Sequence, residues 1–286
     1  TLEESFIRKN PFSYYGIEHL LEKRNNNASD TIPWDDKNSF IRNQHPYIAK
    51  LSNVKVGTEG IIYNSTSKFI INPIYEKIDI NTSNKIFHFE KLATVVQRWG
   101  YGFYHFISEQ LPKILYLQKF LLSSNENIKI LTYYNNTYIK EILELSGINK
   151  NNIIEFSNNY NYSAKELYFS KPIYCGNPSK EDIELIRNTL NINDNIEDNL
   201  EDDEKPVGII IKRDKNSVRS IINFDNIVML IKEKFPEKKW VIFEHLSIKD
   251  SLALFKKADI IVAPHGAGLT NMIFSAKGTH ILEYVI

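Results

Sequence analysis

The pattern of apolar and polar positions divides the chain at an acidic stretch from Asn191 to Lys205. This stretch, NINDNIEDNLEDDEK, is nearly free of apolar residues, and such composition is typical of a linker between domains. On both sides of it, short apolar runs alternate with amphipathic segments, an order that predicts βα units and parallel sheets. We therefore expect an α/β protein with one domain at residues 1–195, a linker at 196–205 and a second domain at 206–286.

The first domain is expected to begin with short β-strands and to continue with βα units. Residues from Tyr47 to Ile74 have β-strand character, with apolar runs broken by Gly57 and Gly60. The pattern then predicts helices at Tyr104–Leu122, Thr137–Leu145 and Lys180–Leu190, and strands at Ile128–Tyr133, Ile153–Phe156 and Glu166–Phe169. Gly147 is the expected C′ residue of the second helix, and Ser179 is the expected N-cap of the third.

The second domain shows the element density of one Rossmann-like half. The pattern predicts strands at Val207–Ile211, Trp240–Phe243, Ile260–Ala263 and His280–Val285, and helices at Phe224–Phe235 and Ser251–Lys257. Asn223 is a candidate N-cap for the first of these helices. A domain of this type normally continues with closing helices after its last strand, so we expect the C-terminal domain to be truncated in this sequence.

The stretch DIIVAPHGAGLTNMIFSA, residues 259–276, predicts a phosphate-binding turn. The apolar run Ile260–Ala263 indicates a buried strand, and Pro264 ends it because proline cannot donate to a ladder. The two glycines in His265–Gly268 permit positive φ and close approach of a ligand to the backbone. A helix is predicted to follow, and its first N–H groups would face a phosphate. An ordinary βα turn is the structural alternative.

A second candidate site lies in the segment from Lys91 to Leu122. His105 and Glu109 are four residues apart on the predicted helix, so both side chains lie on one face of it. Pro112 is expected to kink this helix or to mark a second start. Spacing alone favours a structural helix that has an exposed Glu109 and a partly buried His105, because single i, i+4 pairs are common.

Composition excludes several classes of protein and of site. Lys+Arg and Asp+Glu number 35 each, so no global basic field would attract nucleic acid. Cys175 is the only cysteine, which excludes an intramolecular disulfide and a site with several thiolates. No run reaches about 18 apolar residues, so no membrane-spanning helix is expected. The sequence leaves the compartment open between the cytoplasm and the lumen of the secretory pathway.

Three stretches, HGAGLTNMIF, HFISEQLPK and RDKNSVRSIINFDNI, resemble glycosyltransferase family 61. The resemblance implies a GT-B-like architecture with two Rossmann-like domains and parallel sheets. It also implies an inverting transferase that moves a sugar from a nucleotide-sugar, with a UDP-sugar as the expected donor, to a hydroxyl of a glycan or glycoprotein. No metal ion or other cofactor is expected.

The resemblance assigns roles to residues in both domains. It makes Glu109 and His105 the candidates for the catalytic base, with Glu109 the first choice, presented toward a cleft between the domains. The spacing does not rank the two. The expected nucleotide-sugar contacts are Arg213, Arg219, His265, Gly266, Ala267, Gly268, Leu269, Thr270, Asn271 and Glu283, of which Glu283 resembles a residue that accepts from ribose hydroxyls.

Two other classes of function stay open from the residues alone. One is a nucleotide-sugar-binding or glycan-binding module without catalytic activity, against which His105 and Glu109 argue only mildly. The other is a dinucleotide-dependent oxidoreductase. The oxidoreductase is disfavoured because no Gly-x-Gly-x-x-Gly follows a first strand.

Overall fold

The computed structural model describes residues 48–65, 68–69, 85–124, 127–170, 173, 178–201, 204–214, 219–244 and 246–284. Predictions that concern Cys175, residues 215–218 and Val285 lie outside these residues. The chain forms two compact α/β units, one within residues 1–143 and 147–182 and the other within 144–146 and 183–286. The segment predicted as a linker, 196–205, lies within the second unit.

The first unit is built on a mixed sheet. The bounds of its described strands are Ile48–Val56 (β1), Ile62–Tyr63 (β2), Lys68–Phe69 (β3), Lys85–Thr94 (β4), Lys129–Thr132 (β5), Ile153–Glu155 (β6) and Tyr160–Ser170 (β7). These seven described strands are arranged in the order β3-β2-β1-β7-β4-β5-β6. β4 runs parallel to β5 and β7, and β5 runs parallel to β6. The carboxyl ends of β4, β5 and β6 therefore meet at one edge.

The sheet of the first unit contains antiparallel pairs beside the expected parallel ones. β1 pairs antiparallel with β2 and β7, and β2 pairs antiparallel with β3. Five residues separate β1 from β2 and four separate β2 from β3, whereas a parallel pair would need a much longer crossover. β7 is also longer than the predicted Glu166–Phe169, because alternate inward-facing side chains such as Tyr162 and Ala164 are buried as well.

The helices of the first unit follow the predicted order. A helical segment comprises Phe103–His105 (α1), a π-helical turn at Phe106–Gln110 and Leu111–Ser124 (α2), and a separate helix follows at Thr137–Leu145 (α3). α3 has the predicted bounds and is followed by Gly147, whose φ of 71° is the left-handed conformation of a C′ glycine. Ile107, Leu111 and Ile114 are fully buried and fix the helical segment on the sheet.

A capping box begins the next helix, Lys180–Thr189 (α4). The Ser179 hydroxyl accepts a bond from the Asp182 N–H at 3.2 Å, and the Asp182 carboxylate accepts from the Ser179 N–H at 2.9 Å. This arrangement confirms Ser179 as the N-cap. Tyr116 donates to the same Asp182 carboxylate at 2.9 Å, and its burial raises the pKa of the phenol.

The second unit contains a fully parallel sheet. Its described strands are Val207–Ile211 (β8), Lys239–Phe243 (β9), Ala258–Pro264 (β10) and His280–Tyr284 (β11), in the order β11-β10-β8-β9. Ile261 of β10 lies opposite Ile209 of β8 in the register. β9 and β10 lie on opposite sides of β8, so the strand order reverses between β8 and β10. Open α/β sheets bind ligands at such a switch point.

Helices connect the successive strands of this sheet. Phe224–Lys234 (α5) packs Phe224 and Val228 against the sheet, and the Asn223 side chain makes no capping bond. Ile248–Lys256 (α6) begins earlier than predicted, because Ser247 caps it by accepting from the Asp250 N–H at 3.0 Å. After β10 the expected α-helix is instead a 3₁₀-helix, Ala267–Phe274.

Candidate active site

The helical segment of the first unit widens immediately before Pro112. At the π-helical turn the Leu111 N–H donates to the Phe106 carbonyl, one residue farther back than in an α-helix. Pro112 has no N–H for the ladder and its ring crowds the preceding turn, which favours a wider turn at this position. Of the two predictions for Pro112, a kink or a second start, the structure has a new α-helical start at Leu111. Turns of this kind recur at functional sites.

The wide turn brings His105 and Glu109 together. Nδ1 of His105 lies 3.1 Å from Oε2 of Glu109, across the i, i+4 spacing. The Glu109 side chain is 0% exposed, whereas 21% of the His105 side chain is accessible. The imidazole is thus the accessible member of the pair, and the carboxylate is its buried partner.

A buried chain of polar side chains supports the Glu109 carboxylate. The Gln97 amide donates from Nε2 to Oε2 of Glu109, and the Lys113 ammonium donates to Oε1 of the same Gln97. All three side chains are almost completely buried. Burial lowers the pKa of Lys113 to about 8, and the nearby Glu109 and Asp182 charges oppose that shift. The carboxylate is therefore solvated by the protein instead of by water.

The loop before the helical segment is fixed by close packing. A Cβ on the buried Gly100 would lie 1.8 Å from Nε2 of Gln110, which is itself fully buried. The Tyr133 hydroxyl, just beyond β5, donates to the Gln97 carbonyl at 3.2 Å. A larger residue at position 100 would therefore displace the buried Gln110 amide, and the loop holds Gln97 in place against Glu109.

Sequence reasoning missed Gln97 and Lys113. Lys113 interrupts the apolar run LPKILYL, and Gln97 follows a buried strand at its carboxyl end. Both positions are unusual for long polar side chains, since Lys and Gln are mostly exposed. That placement was the available signal for a buried polar network.

The candidate phosphate site of the second unit lies at the switch point between β8 and β10. Arg213 follows β8 and donates from Nη1 to the carbonyl of His265, which follows β10, at 2.9 Å. Gly266 has φ 148° and ψ −176°, a conformation that is essentially restricted to glycine. A Cβ on Gly266 would lie 2.0 Å from Nη1 of Arg213. The structure thus brings Arg213 and the glycine turn into contact.

His265 and Glu283 form a second histidine–glutamate pair at the same edge of the sheet. Nδ1 of His265 lies 2.6 Å from Oε1 of Glu283, and the two side chains are 56% and 38% exposed. Glu283 is adjacent to Ala263 in the parallel register of β10 and β11. The carboxylate predicted to accept from ribose hydroxyls therefore also contacts His265.

The remaining predicted nucleotide contacts differ in their accessibility. Ala267 and Gly268 are at the start of the 3₁₀-helix, whereas Leu269, Thr270 and Asn271 are buried within it. The Asn271 side chain donates to the Gly268 carbonyl at 2.9 Å and so stabilises the turn. Arg219 is half-buried in the turn before α5. Contacts of these residues with a nucleotide stay predictions.

The described ranges contain neither a metal-binding cluster nor a membrane-spanning helix. No group of three or more His, Cys, Asp or Glu side chains in these ranges is placed to hold a metal ion. None of the helices in the same ranges has the length and apolar content needed to cross a bilayer.

The chain matches the model of a known protein family. A family model described as Glycosyltransferase 61 matches residues 103–282, which is more than half of the 286-residue chain. The matched range begins at α1 and includes His105, Glu109, Arg213 and the turn at 265–271. No curated protein matches the chain.

Proposed function

The chain belongs to the glycosyltransferase 61 family, and on this premise we propose that it transfers a sugar, with inversion, from a UDP-sugar to a hydroxyl of a glycan or glycoprotein. Membership makes it a glycosyltransferase; the donor, the stereochemistry and the acceptor are our proposal. Inverting transfer needs a base for the acceptor hydroxyl and positive charge for the departing diphosphate. The candidate site of the first unit offers the base, and that of the second unit offers the positive charge.

We assign the base to His105 and the positioning of that base to Glu109, a reversal of the order expected from the sequence. The observation behind this choice is the contrast in burial, since the imidazole is accessible and the carboxylate is fully buried. A neutral imidazole that donates its Nδ1–H to Glu109 keeps a lone pair on Nε2 for the acceptor proton. The buried carboxylate then stabilises the imidazolium that forms.

The proposed chemical step is a single displacement. The acceptor oxygen forms a bond to the anomeric carbon of the donor while its proton passes to Nε2 of His105. The bond from that carbon to the diphosphate oxygen breaks at the same time, and the electron pair leaves on the nucleoside diphosphate. Attack from the face opposite the leaving group inverts the anomeric configuration.

The second unit supplies the proposed donor site. Arg213 and the first N–H groups of the 3₁₀-helix at Ala267 and Gly268 can stabilise the diphosphate. Glu283 and His265 are proposed to contact the ribose and the phosphate, with Arg219 as a further cation. A GT-B-like arrangement, with donor and acceptor sites on different Rossmann-like domains, is part of the proposal.

A panel of UDP-, GDP- and CDP-sugars tests this function. We expect slow hydrolysis of UDP-sugars, with the sugar released as the inverted anomer and with activity retained in EDTA, because Arg213 and the helix N-terminus provide the positive charge. Nucleotide binding without hydrolysis would favour a non-catalytic binding module. Activity that EDTA abolishes and Mn²⁺ or Mg²⁺ restores would contradict the metal-independent mechanism.

A further inference from the structure

Two exposed aromatic side chains, Trp99 and Tyr101, precede the helical segment that carries His105. They belong to the segment Gln97–Gly102, which we call the aromatic loop and which precedes the range matched by the family. Trp99 is 38% exposed and Tyr101 is 53% exposed. The indole of Trp99 lies 5.9 Å from the His105 imidazole, measured between ring centroids. An accessible indole therefore adjoins the proposed base, and a second exposed aromatic ring lies two residues along the same loop.

The backbone of Trp99 is strained. Its φ of 59° is in the left-handed region, where a bulky side chain is an outlier and where glycine or asparagine is the ordinary choice. Such strain persists only where the surroundings enforce it, and it is concentrated at functional sites. Fold stability alone would favour a smaller residue at position 99. The large exposed indole thus calls for an explanation from binding.

The aromatic loop is held rigid around this residue. The Gly102 N–H donates to the Trp99 carbonyl at 2.7 Å, and the Gly100 N–H donates to the Gln97 carbonyl at 3.1 Å. The Arg98 guanidinium lies over the Trp99 ring at 5.2 Å and forms an ion pair with Glu59 at 3.4 Å. The Tyr101 carbonyl accepts from the Asn136 amide at 3.2 Å. Rigid positioning lowers the entropic cost of binding a ligand.

We propose that Trp99 and Tyr101 form a binding platform for the acceptor, with a pyranose ring stacked on the aromatic surface. This inference rests on the proposed function and names the acceptor class of that same site. The C–H groups on one face of a pyranose carry partial positive charge and complement the negative face of an aromatic ring. The hydroxyls at the edge of the sugar stay free, and one of them is placed at His105 for deprotonation.

Saturation-transfer NMR with methyl β-glycosides of glucose, galactose, mannose and N-acetylglucosamine tests the platform. We expect transfer to ring C–H protons of at least one glycoside with the unaltered protein, and a reduction of about fivefold or more in Trp99→Asn. Asparagine tolerates the left-handed conformation, so the melting temperature of this variant should be unchanged or higher. Tyr160→Asn is the matched control, because Tyr160 is equally exposed at 38% but outside the loop.

The outcomes separate the platform from the proposed function. Equal transfer in Trp99→Asn, or no transfer to any of the four glycosides with the unaltered protein, would overturn the platform. So would transfer to uridine that Trp99→Asn abolishes, since the loop would then bind the nucleoside. Calorimetric titration with UDP is the independent readout. If the unaltered protein does not bind UDP in this titration, the proposed donor site is refuted, whereas the glycoside result is unaffected.

Discussion

A histidine–glutamate pair occurs in each unit, and the two pairs differ in their environment. In the first unit, Nδ1 of His105 is 3.1 Å from a Glu109 carboxylate that is 0% exposed. In the second unit, Nδ1 of His265 is 2.6 Å from Glu283, and both side chains are more than a third exposed. The buried pair has further protein partners in Gln97 and Lys113.

The comparison indicates that the burial of the two side chains, and not the distance between them, decides how much such a pair contributes to stability and catalysis. An exposed pair gains little because water and salt screen it, even at a short distance. A buried carboxylate must have every lone pair satisfied by the protein, so the loss of one partner is costly. We therefore expect the first pair to control catalysis and stability together, and the second to affect ligand binding only modestly.

The largest expected effect is on turnover, in variants of the buried pair. His105→Ala and Glu109→Gln should each lose about 100-fold or more in kcat, because a general base and its orienting group act together. UDP affinity should be unchanged, because the proposed donor site belongs to the second unit. Imidazole added to the solution should restore part of the activity of His105→Ala but none of that of Glu109→Gln. Glu144→Gln, at an exposed position of α3, is the control.

Three results would revise these roles. Near-normal turnover in His105→Ala together with collapse in Glu109→Gln would return the base to Glu109. Near-normal turnover in Glu109→Gln alone would show that the imidazole needs no buried carboxylate. Near-normal turnover in both variants would make the helical segment structural.

A smaller effect is expected on donor binding in the second unit. Arg213→Ala should weaken UDP binding by about 1–3 kcal/mol, the range of a charge-assisted hydrogen bond. Gly266→Ala should act in the same direction, because its Cβ would lie 2.0 Å from Nη1 of Arg213. Gly147→Ala is the control. Gly147 has a φ of 71°, but no neighbouring atom lies within 4 Å of an added Cβ, so the substitution introduces backbone strain without crowding the donor site. Unchanged calorimetric affinity in Arg213→Ala would count against the donor site.

The elements that could be predicted from the sequence are those with local signals. α3 and its C′ Gly147 follow from helical periodicity and a glycine, and α4 follows from the capping box at Ser179. β8 has the predicted bounds because four aliphatic residues and one glycine, all buried, fit a strand covered on both faces. The contact between Arg213 and the 265–268 turn also follows from strand order, since both lie at carboxyl ends of parallel strands.

The features that the sequence could not supply depend on tertiary packing. The burial of Lys113 and Gln97 depends on which face of the helical segment packs against the loop. The pattern of apolar positions does not contain this information, because it classes both residues only as polar. The 3₁₀ geometry of Ala267–Phe274 was missed because i→i+3 and i→i+4 bonding share nearly the same sequence preferences. The ranking of His105 over Glu109 likewise needed their exposure, which equal spacing does not contain.

The buried Lys113 predicts a pH dependence of stability. Its pKa is lowered to about 8 from 10.5, so between these pH values the unfolded chain binds more protons than the folded chain. The free energy of unfolding should therefore rise with pH across this window, by on the order of 2 kcal/mol between about pH 7 and about pH 9.5. Urea unfolding of Lys113→Met should lack this rise, whereas Lys119→Met, at an exposed position of α2, should retain it. Equal pH dependence in all three proteins would mean that Lys113 is not desolvated.

The smallest effect is expected from the exposed pair, and it completes the comparison. Glu283→Gln keeps the shape of the side chain and removes the charge next to His265. Because both side chains are more than a third exposed, the free energy of unfolding should fall by less than about 1 kcal/mol, and the difference should disappear in about 1 M NaCl. Glu109→Gln should be destabilised by several times as much and should keep its deficit in salt, since it leaves Lys113 buried without its carboxylate. Urea titrations of the two variants at low and high salt measure both effects. A large, salt-independent loss in Glu283→Gln would show that the second pair is desolvated by neighbours, and burial would then not be what distinguishes the two sites.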